Sequence, residues 1–527
     1  MRANAARALP AGRSAIAESV IERRNVIAIC VALFLFTFLI YWGLGARSTT
    51  YPHQVSQANN LLHGHLDFLP QYTVHPENLE RSMFDGTSYC YAPGDPQIPT
   101  VPNVRVTSDC KTYMQYSFGP VFVALPGVAV FGMDFNQTLL SVLIGALTAP
   151  IVFLIAGKFS SKRGTQLLLT ALMMFGTIFW FAASNGGVWY FAHTTATFFI
   201  FAAIYFAISK PNPVFAGAML GAAFLCRPTM LATGLFFVVS FIPLWLKRPE
   251  DNGGRWGVNL QPIVGFAAGL APFLAIEGVV NYLRFSSPLE TGYGYMEPAN
   301  QDFQQPLFPH GIFDVRYTAK HAAVMLEAMP VFGGSPPDCG SCAAVVPSNN
   351  GMAIWATTPA FLLAMFTGVN HRRVSRIGAG LVAAACAFIL FRAISQAWES
   401  DLATTSLPLG VQLLPFWLMI GAAVFFSLRN RDLLIAACWA AIIPTGLIIF
   451  FFAATGWAQF GYRYGLDFTP FLWLLVAKHI GDKLKPWHVA LILAAIAVNF
   501  MGVMWIYHFD PNHVGGLDWV AMGDRFG

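Results

Sequence analysis

Charge is what this chain has least of. Only 11% of its 527 residues are Asp, Glu, Lys or Arg, where a soluble globular chain carries about 25%. A deficit of that size over this length excludes a string of soluble domains. With 56% hydrophobic residues and a mean hydropathy of +0.55 it leaves a polytopic membrane protein. The basic residues outnumber the acidic ones, 31 to 26, but they are scattered through short connections and give nucleic acid no basic face to bind. Also missing are a Rossmann Gly-rich fingerprint, a Walker A motif and a His-Glu-x-x-His pair, which disfavours a cytosolic nucleotide-sugar enzyme and an ATP-driven pump. No heptads, fixed-period repeat or low-complexity tract interrupts the sequence.

What is present in abundance is apolar sequence in runs of membrane length. The N-terminal 24 residues carry Arg2, Arg7, Arg13, Arg23 and Arg24 against Glu18 and Glu22, ahead of the apolar run Val26–Leu44. That run exceeds the roughly 7–15 apolar residues of a cleaved signal peptide, so it reads as an uncleaved first span with a cytoplasmic N-terminus. Taking about 20 apolar residues per span, the spans fall at 25–45, 136–158, 164–184, 190–208, 213–227, 229–246, 258–283, 352–370, 377–397, 409–428, 432–454, 467–480 and 486–508. The expected fold is an all-α polytopic bundle of about 13 transmembrane helices with two long extracytoplasmic loops. The run 213–246 is interrupted by Arg227-Pro228 and reads as a hairpin or broken pair, and 467–480 is short for a span. In domain terms, 1–24 is a cytoplasmic segment, 25–508 the membrane domain and 509–527 an extracytoplasmic tail.

Basic residues give the orientation. Lys158/Lys162/Arg163, Lys210, Lys247/Arg248/Arg255, Arg372/Arg373/Arg376, Arg429/Arg431 and Lys483/Lys485 occupy the connections that should be cytoplasmic. The two long loops, about 46–135 and 284–351, then fall on the outer face. Within the first, Tyr116–Gly132 is apolar but short and carries Pro120 and Pro126, which suits a re-entrant or interfacial helix. Of the eight cysteines, Cys30, Cys226, Cys386 and Cys438 lie in apolar runs and behave as small hydrophobes. Cys90, Cys110, Cys339 and Cys342 are confined to the outer loops, and two local disulfides, Cys90–Cys110 and Cys339–Cys342, are the natural pairing.

Chemistry concentrates where lipid does not reach. The first outer loop holds Tyr51, His53, His63, His65, Asp67, Asp85 and Tyr116 among many other polar and aromatic residues. His63, His65 and Asp67 would share one face of an extended segment and resemble a metal chelate. The preceding "QANNLLHG" reads instead as a helix ended by Gly64, so no metal ligands are assigned and a divalent cation is the one cofactor left open. Ionisable groups at membrane depth default to function. Arg227 beside Pro228 is one, able to meet a phosphate bidentately or to snorkel. Glu277 is another, with Arg227 or Arg392 as candidate counterion. In "QFGYRYGLD", Gln459, Arg463 and Asp467 cluster at the outer end of a span, and Arg463 and Asp467 could pair as i,i+4 neighbours on a helix. His193, behind Trp189 and Tyr190, could line a cavity. Arg284, Glu290, Tyr293 and Tyr295 open the second loop and suit a sugar or acceptor platform.

Taken together, "NNLLHGHLDF", "YSFGPVFVALPGVAVFG", "NGGVWYFAHTTA", "GAMLGAAFLCRPT", "NYLRFSSPLETGY" and "QFGYRYGLDFTPFL" resemble, in layout over most of the chain, the bacterial polytopic glycosyltransferases of the GT-C fold. That group includes the protein mannosyltransferase-like enzymes of glycosyltransferase family 39 and the aminoarabinose-transferase-like enzymes. The resemblance implies a bacterial inner (plasma) membrane enzyme that moves a sugar from a polyprenyl-phosphate donor to a cell-envelope lipid, glycan or protein acceptor at the outer face. It also implies an acidic general base soon after the first span. Here the chain departs from the pattern, because no Asp or Glu stands between Arg47 and Asp67. Asp67 or Asp85 supplies the base from further along, or His53 takes the role; Asp67 is expected first. Tyr116, His193, Arg227, Arg284, Glu290, Gln459, Arg463 and Asp467 are the expected substrate-binding residues. The rival readings are a transporter or flippase of a lipid-linked or polar solute and a catalytically inactive GT-C relative. Transporters show broken helices in corresponding halves, and the break at Arg227-Pro228 has no obvious counterpart.

Overall fold

The computed structural model describes residues 11–509, apart from 92–104, 248–254, 296–311, 333–344, 369–379, 385–413 and several breaks of one to three residues. Among the described residues six helices are long and apolar enough to cross a membrane: Arg24–Leu44, Gln137–Ala156, Val188–Ser209, Gln261–Phe285, Leu433–Phe451 and Pro486–His508. The pair Arg163–Phe175 and Phe179–Asn185, bent by 55°, is together long and apolar enough for a seventh, broken span. The protein is an all-α polytopic membrane protein, its strands being short pairs of two or three residues. The spans expected at 213–227, 229–246 and 467–480 are shorter helical pieces, and 352–370 is a 3-10 turn, Pro359–Phe366, behind a single α-turn. Most of the run 377–397, the C-terminal tail and Cys339 with Cys342 lie outside the described residues.

In chain order the helices used below are α1 (Ala11–Leu44), α2 (His53–Leu62), α3 (Gly119–Phe131), α4 (Gln137–Ala156), α5 (Arg163–Phe175), α6 (Phe179–Asn185), α7 (Val188–Ile204), α8 (Pro213–Cys226), α9 (Gly234–Ser240), α10 (Gln261–Phe285), α11 (Tyr317–Leu326) and α12 (Leu433–Phe451). Local chemistry sets several starts. Asn136, Asn212 and Asp432 cap α4, α8 and α12 by accepting hydrogen bonds from backbone N–H groups of the first turn. α8 ends where Pro228 forbids its continuation. Arg227 there is extended (φ −152°, ψ 114°), and a 3-10 turn, Pro228–Thr233, leads into α9.

Two glycine pairs fix the partner of α8. A side chain at Gly217 would collide with the Phe266 carbonyl, and one at Gly269 with the Val214 carbonyl. Gly217/Gly221 on α8 and Gly265/Gly269 on α10 are both small-xxx-small motifs, which let helix backbones approach closely in lipid. α10 consequently lies along α8 and fixes the level at which Arg227 leaves the helix.

The first long loop is a polar layer stitched to the bundle. α2 is buried along its first eight residues. The Gln54 amide donates to the Val188 carbonyl at 3.1 Å, the Val188 N–H donates to the Tyr51 carbonyl at 3.1 Å, and the Gln137 side chain accepts from Val55 N and donates to Gly186 O. Gly64 (φ +84°) follows the helix as the sequence suggests. Ser82–Phe84 pairs antiparallel with Lys111–Tyr113, and Cys90–Cys110 is a disulfide. α3 has 13 residues, too few to span, and packs between α2 and α8. The second loop is tied down by α11, by an antiparallel bridge from Phe313 to Phe452, and by Asn350–Met352 running parallel to Gln459–Gly461.

Candidate functional site

The break after α8, the start of α7 and the Arg463–Asp467 turn meet at one point, and Asp467 is its centre. Its carboxylate is fully buried. Arg227 Nε donates to Oδ1 at 2.7 Å and Nη2 to Oδ2 at 2.9 Å, a bidentate pair, while Thr229 Oγ1 donates to Oδ2 at 2.6 Å. His193 Nδ1 lies 3.2 Å from Oδ1. The i,i+4 pairing of Arg463 with Asp467 does not form. Residues Arg463–Asp467 make a 3-10 turn, in which i and i+4 do not stack, and Arg227 reaches the carboxylate from the neighbouring helix break.

Arg463 sits instead in an aromatic cage. Its Cζ is 5.2 Å from the Tyr190 ring centre, 5.3 Å from Tyr464 and 5.8 Å from Trp189. The hydroxyls of Tyr190 and Tyr464 accept hydrogen bonds from its guanidinium. Gln459 Oε1 accepts from the Arg463 backbone N–H at 3.1 Å, which fixes the turn. Arg227 Cζ is 5.5 Å from the Tyr464 ring centre, so Tyr464 is in cation–π contact with both guanidiniums.

The first loop reaches this cluster through Trp189. Its indole N–H donates to the Tyr116 hydroxyl at 2.6 Å, and the Tyr51 ring stands 5.0 Å away. His53, the first residue of α2, is 6.4 Å from Tyr116 between ring centres. Burial pulls the His53 pKa down to about 4, so its imidazole is neutral at pH 7. His53, Tyr116, His193, Arg227, Gln459, Arg463 and Asp467 therefore belong to one connected set.

Four other candidates do not join it through any described contact. Asp67 forms a backbone bridge with Tyr113 and lies 3.6 Å from His65. Asp85 accepts from the N–H and hydroxyl of Thr87, a turn-forming role. Glu290 accepts from the Gly292 N–H at 2.8 Å in a similar turn. Arg284 is buried and donates to the Met114 carbonyl and to Asn281 Oδ1, fastening the first loop to α10. Glu277 lies beside Arg284 and Asn281 on the same helix face. Its neighbouring cation is thus Arg284, not Arg227.

Thr229 and His321 were not singled out from the sequence. Thr229 carried a signal, standing two residues from an intramembrane arginine with a hydroxyl free to bond its counterion. His321 carried none, because its partners are far away in the chain. No group of three or more His, Cys, Asp or Glu side chains able to hold a metal occurs among the described residues.

No family model matches the sequence, and no curated protein matches it. Among solved structures the chain is similar to ArnT from Cupriavidus metallidurans bound to undecaprenyl phosphate. The two are 12% identical, the match covers 87% of this chain and 81% of that one, and the TM-score is 0.32.

Proposed function

We propose that the chain is a membrane glycosyltransferase of the GT-C type, in which Arg227 and Arg463 bind the phosphate of a polyprenyl-phosphate sugar and the sugar passes to an acceptor hydroxyl at the extracytoplasmic face. The observation that carries the reading is that two guanidiniums, Arg227 and Arg463, contact one ring, Tyr464, while the single neighbouring carboxylate, Asp467, pairs with Arg227. Two cations against one anion leave an excess positive charge, which favours an anionic ligand. Asp467 uses two of the five N–H groups of Arg227, whose side chain is 16% exposed, and the others remain for phosphate oxygens. Asp467, Thr229 and His193 hold that guanidinium in orientation.

The donor's phosphate leaves as the acceptor oxygen attacks, and a base takes the acceptor proton. The connected set favours His53 for that role over Asp67 and Asp85. The His53 imidazole is unprotonated at neutral pH and can take up the acceptor proton, with burial making it a weaker base than a free imidazole. The acceptor and the sugar follow the sequence resemblance: a cell-envelope lipid, glycan or protein.

The test separates binding from transfer. Purified protein in nanodiscs is expected to bind a long-chain polyprenyl phosphate, and Arg227→Lys and Arg463→Lys to weaken it tenfold or more, on the order of the energy of a lost bidentate pair. His53→Ala is expected to leave that binding intact and to lower sugar transfer by about 10²–10⁴, with Asp67→Asn the milder change. The parent's acid limb should lie near pH 4 rather than 6.5. Lys variants that bind as tightly as the parent would remove both arginines from the phosphate site.

A further inference from the structure

We propose that His321 is a positioning residue of this phosphate site, acting through Tyr462; the proposal rests on the phosphate reading above. His321 lies on α11 in the second outer loop and is fully buried. Its Nε2 is 2.7 Å from the Phe452 carbonyl and its Nδ1 is 2.6 Å from the Tyr462 hydroxyl. A carbonyl only accepts, so Nε2 carries the proton, Nδ1 accepts, and the Tyr462 hydroxyl donates. Both partners are singular in position. Phe452 is the residue at which α12 ends, and its carbonyl belongs to the unbonded set at a helix C-terminus. Tyr462 is the residue from which the Arg463–Asp467 turn starts. One imidazole thus fixes both ends of the 453–461 loop, the segment that delivers Arg463, Tyr464 and Asp467 to the site.

The surroundings agree. The Tyr464 ring centre is 6.3 Å from His321, 6.2 Å from Tyr462 and 5.9 Å from Phe452. Tyr464 is the ring that touches both guanidiniums, so its placement decides how far apart they stand. Two neighbouring ties hold the same region from other sides: Tyr462 N–H donates to the Met352 carbonyl at 3.2 Å, and Ala453 N–H donates to the Ile312 carbonyl at 2.9 Å. These are backbone bonds that any sequence could make. The His321–Tyr462 bond joins two side chains, so a substitution can remove it cleanly.

The two imidazole nitrogens can be tested apart. His321→Asn keeps an acceptor near the Nδ1 position and loses the bond to Phe452. His321→Gln keeps a donor near the Nε2 position and loses Tyr462. Tyr462→Phe removes the hydroxyl with the smallest change of shape. Affinity for a long-chain polyprenyl phosphate in nanodiscs is the readout. His321→Gln and Tyr462→Phe are each expected to weaken binding about tenfold, the worth of one buried hydrogen bond, and the double variant to be no weaker than either. His321→Asn is expected to restore affinity to within about threefold of the parent, as a single recovered bond would. Parent-like binding by His321→Gln and Tyr462→Phe overturns the role of His321, and so does an equal loss in the Asn and Gln variants, which would mark a merely structural residue. Should His321→Gln fail to fold, Tyr462→Phe alone decides between these outcomes. A parent that does not bind the lipid overturns the phosphate reading and the positioning role with it; a parent that binds while its variants equal it overturns only the second.

Discussion

Asp467 and His53 show two opposite uses of burial at single residues. Asp467 keeps a charge out of water because Arg227, Thr229 and His193 converge on it. Removing one member of such a set leaves an uncompensated buried charge, a larger cost than replacing the whole set by apolar residues. His53 and His321 instead avoid charge. Burial lowers the pKa of both to about 4, against about 6.5 in the unfolded chain. As pH falls below 6.5 the unfolded chain takes up these protons first, so the stability the two neutral imidazoles represent is complete above pH 6.5 and is lost between 6.5 and 4. Each group contributes on the order of 1.4 kcal/mol per pH unit across that window. The thermal midpoint of the detergent-solubilised protein is expected to drop between pH 7 and pH 4.5, and His53→Gln to shrink that drop. A drop of equal size in parent and variant would show that His53 does not take part.

At the scale of elements, the α8–α10 pair decides where Arg227 stands, and it does so with glycine. Gly217 and Gly269 each face a carbonyl of the other helix with no room for a Cβ. Gly269→Val is therefore expected to push α10 off α8 and destabilise the protein by more than the typical 0.5–3 kcal/mol of a point substitution. Gly421→Val, where an added Cβ meets nothing, should cost little in comparison. Thermal melts of the two variants side by side make the comparison, and equal midpoints would mean that the close approach is not needed. Both glycine motifs are plain in the sequence, yet without the fold nothing says that they face each other. Element type was easier to read. The broken run at Arg227-Pro228 and the short apolar helix from Gly119 follow from proline and from run length. The partner of Asp467 was not readable in this way. An i,i+4 rule presumes an α-helix, and whether a five-residue Gly-containing stretch is α or 3-10 is settled by the residues that pack around it.

At the scale of the whole molecule, the sequence separates two things that behave differently. Long apolar runs report membrane depth directly, because each needs only its own composition, and among the described residues six continuous helices and one bent pair long and apolar enough to span fall at expected positions. The site depends on contacts between residues more than 200 positions apart, such as Arg227 with Asp467, and no local pattern encodes those. Orientation belongs to the first kind, since it rests on the distribution of Lys and Arg among the short connections. On that distribution the Cys90–Cys110 disulfide and the Arg463 cluster are expected on the outer face, and the Lys158 turn on the inner one. In spheroplasts, a membrane-impermeant maleimide is expected to miss Cys90 and Cys110 until a reductant is added and then to label them. A cysteine introduced as Lys158→Cys, on an exposed turn, is expected to react only after the membrane is permeabilised. Labelling of the Lys158→Cys variant in sealed spheroplasts would invert the topology. The proposed phosphate site would then face the cytoplasm, and the proposed transfer from a lipid-linked donor at the outer leaflet would fail with it.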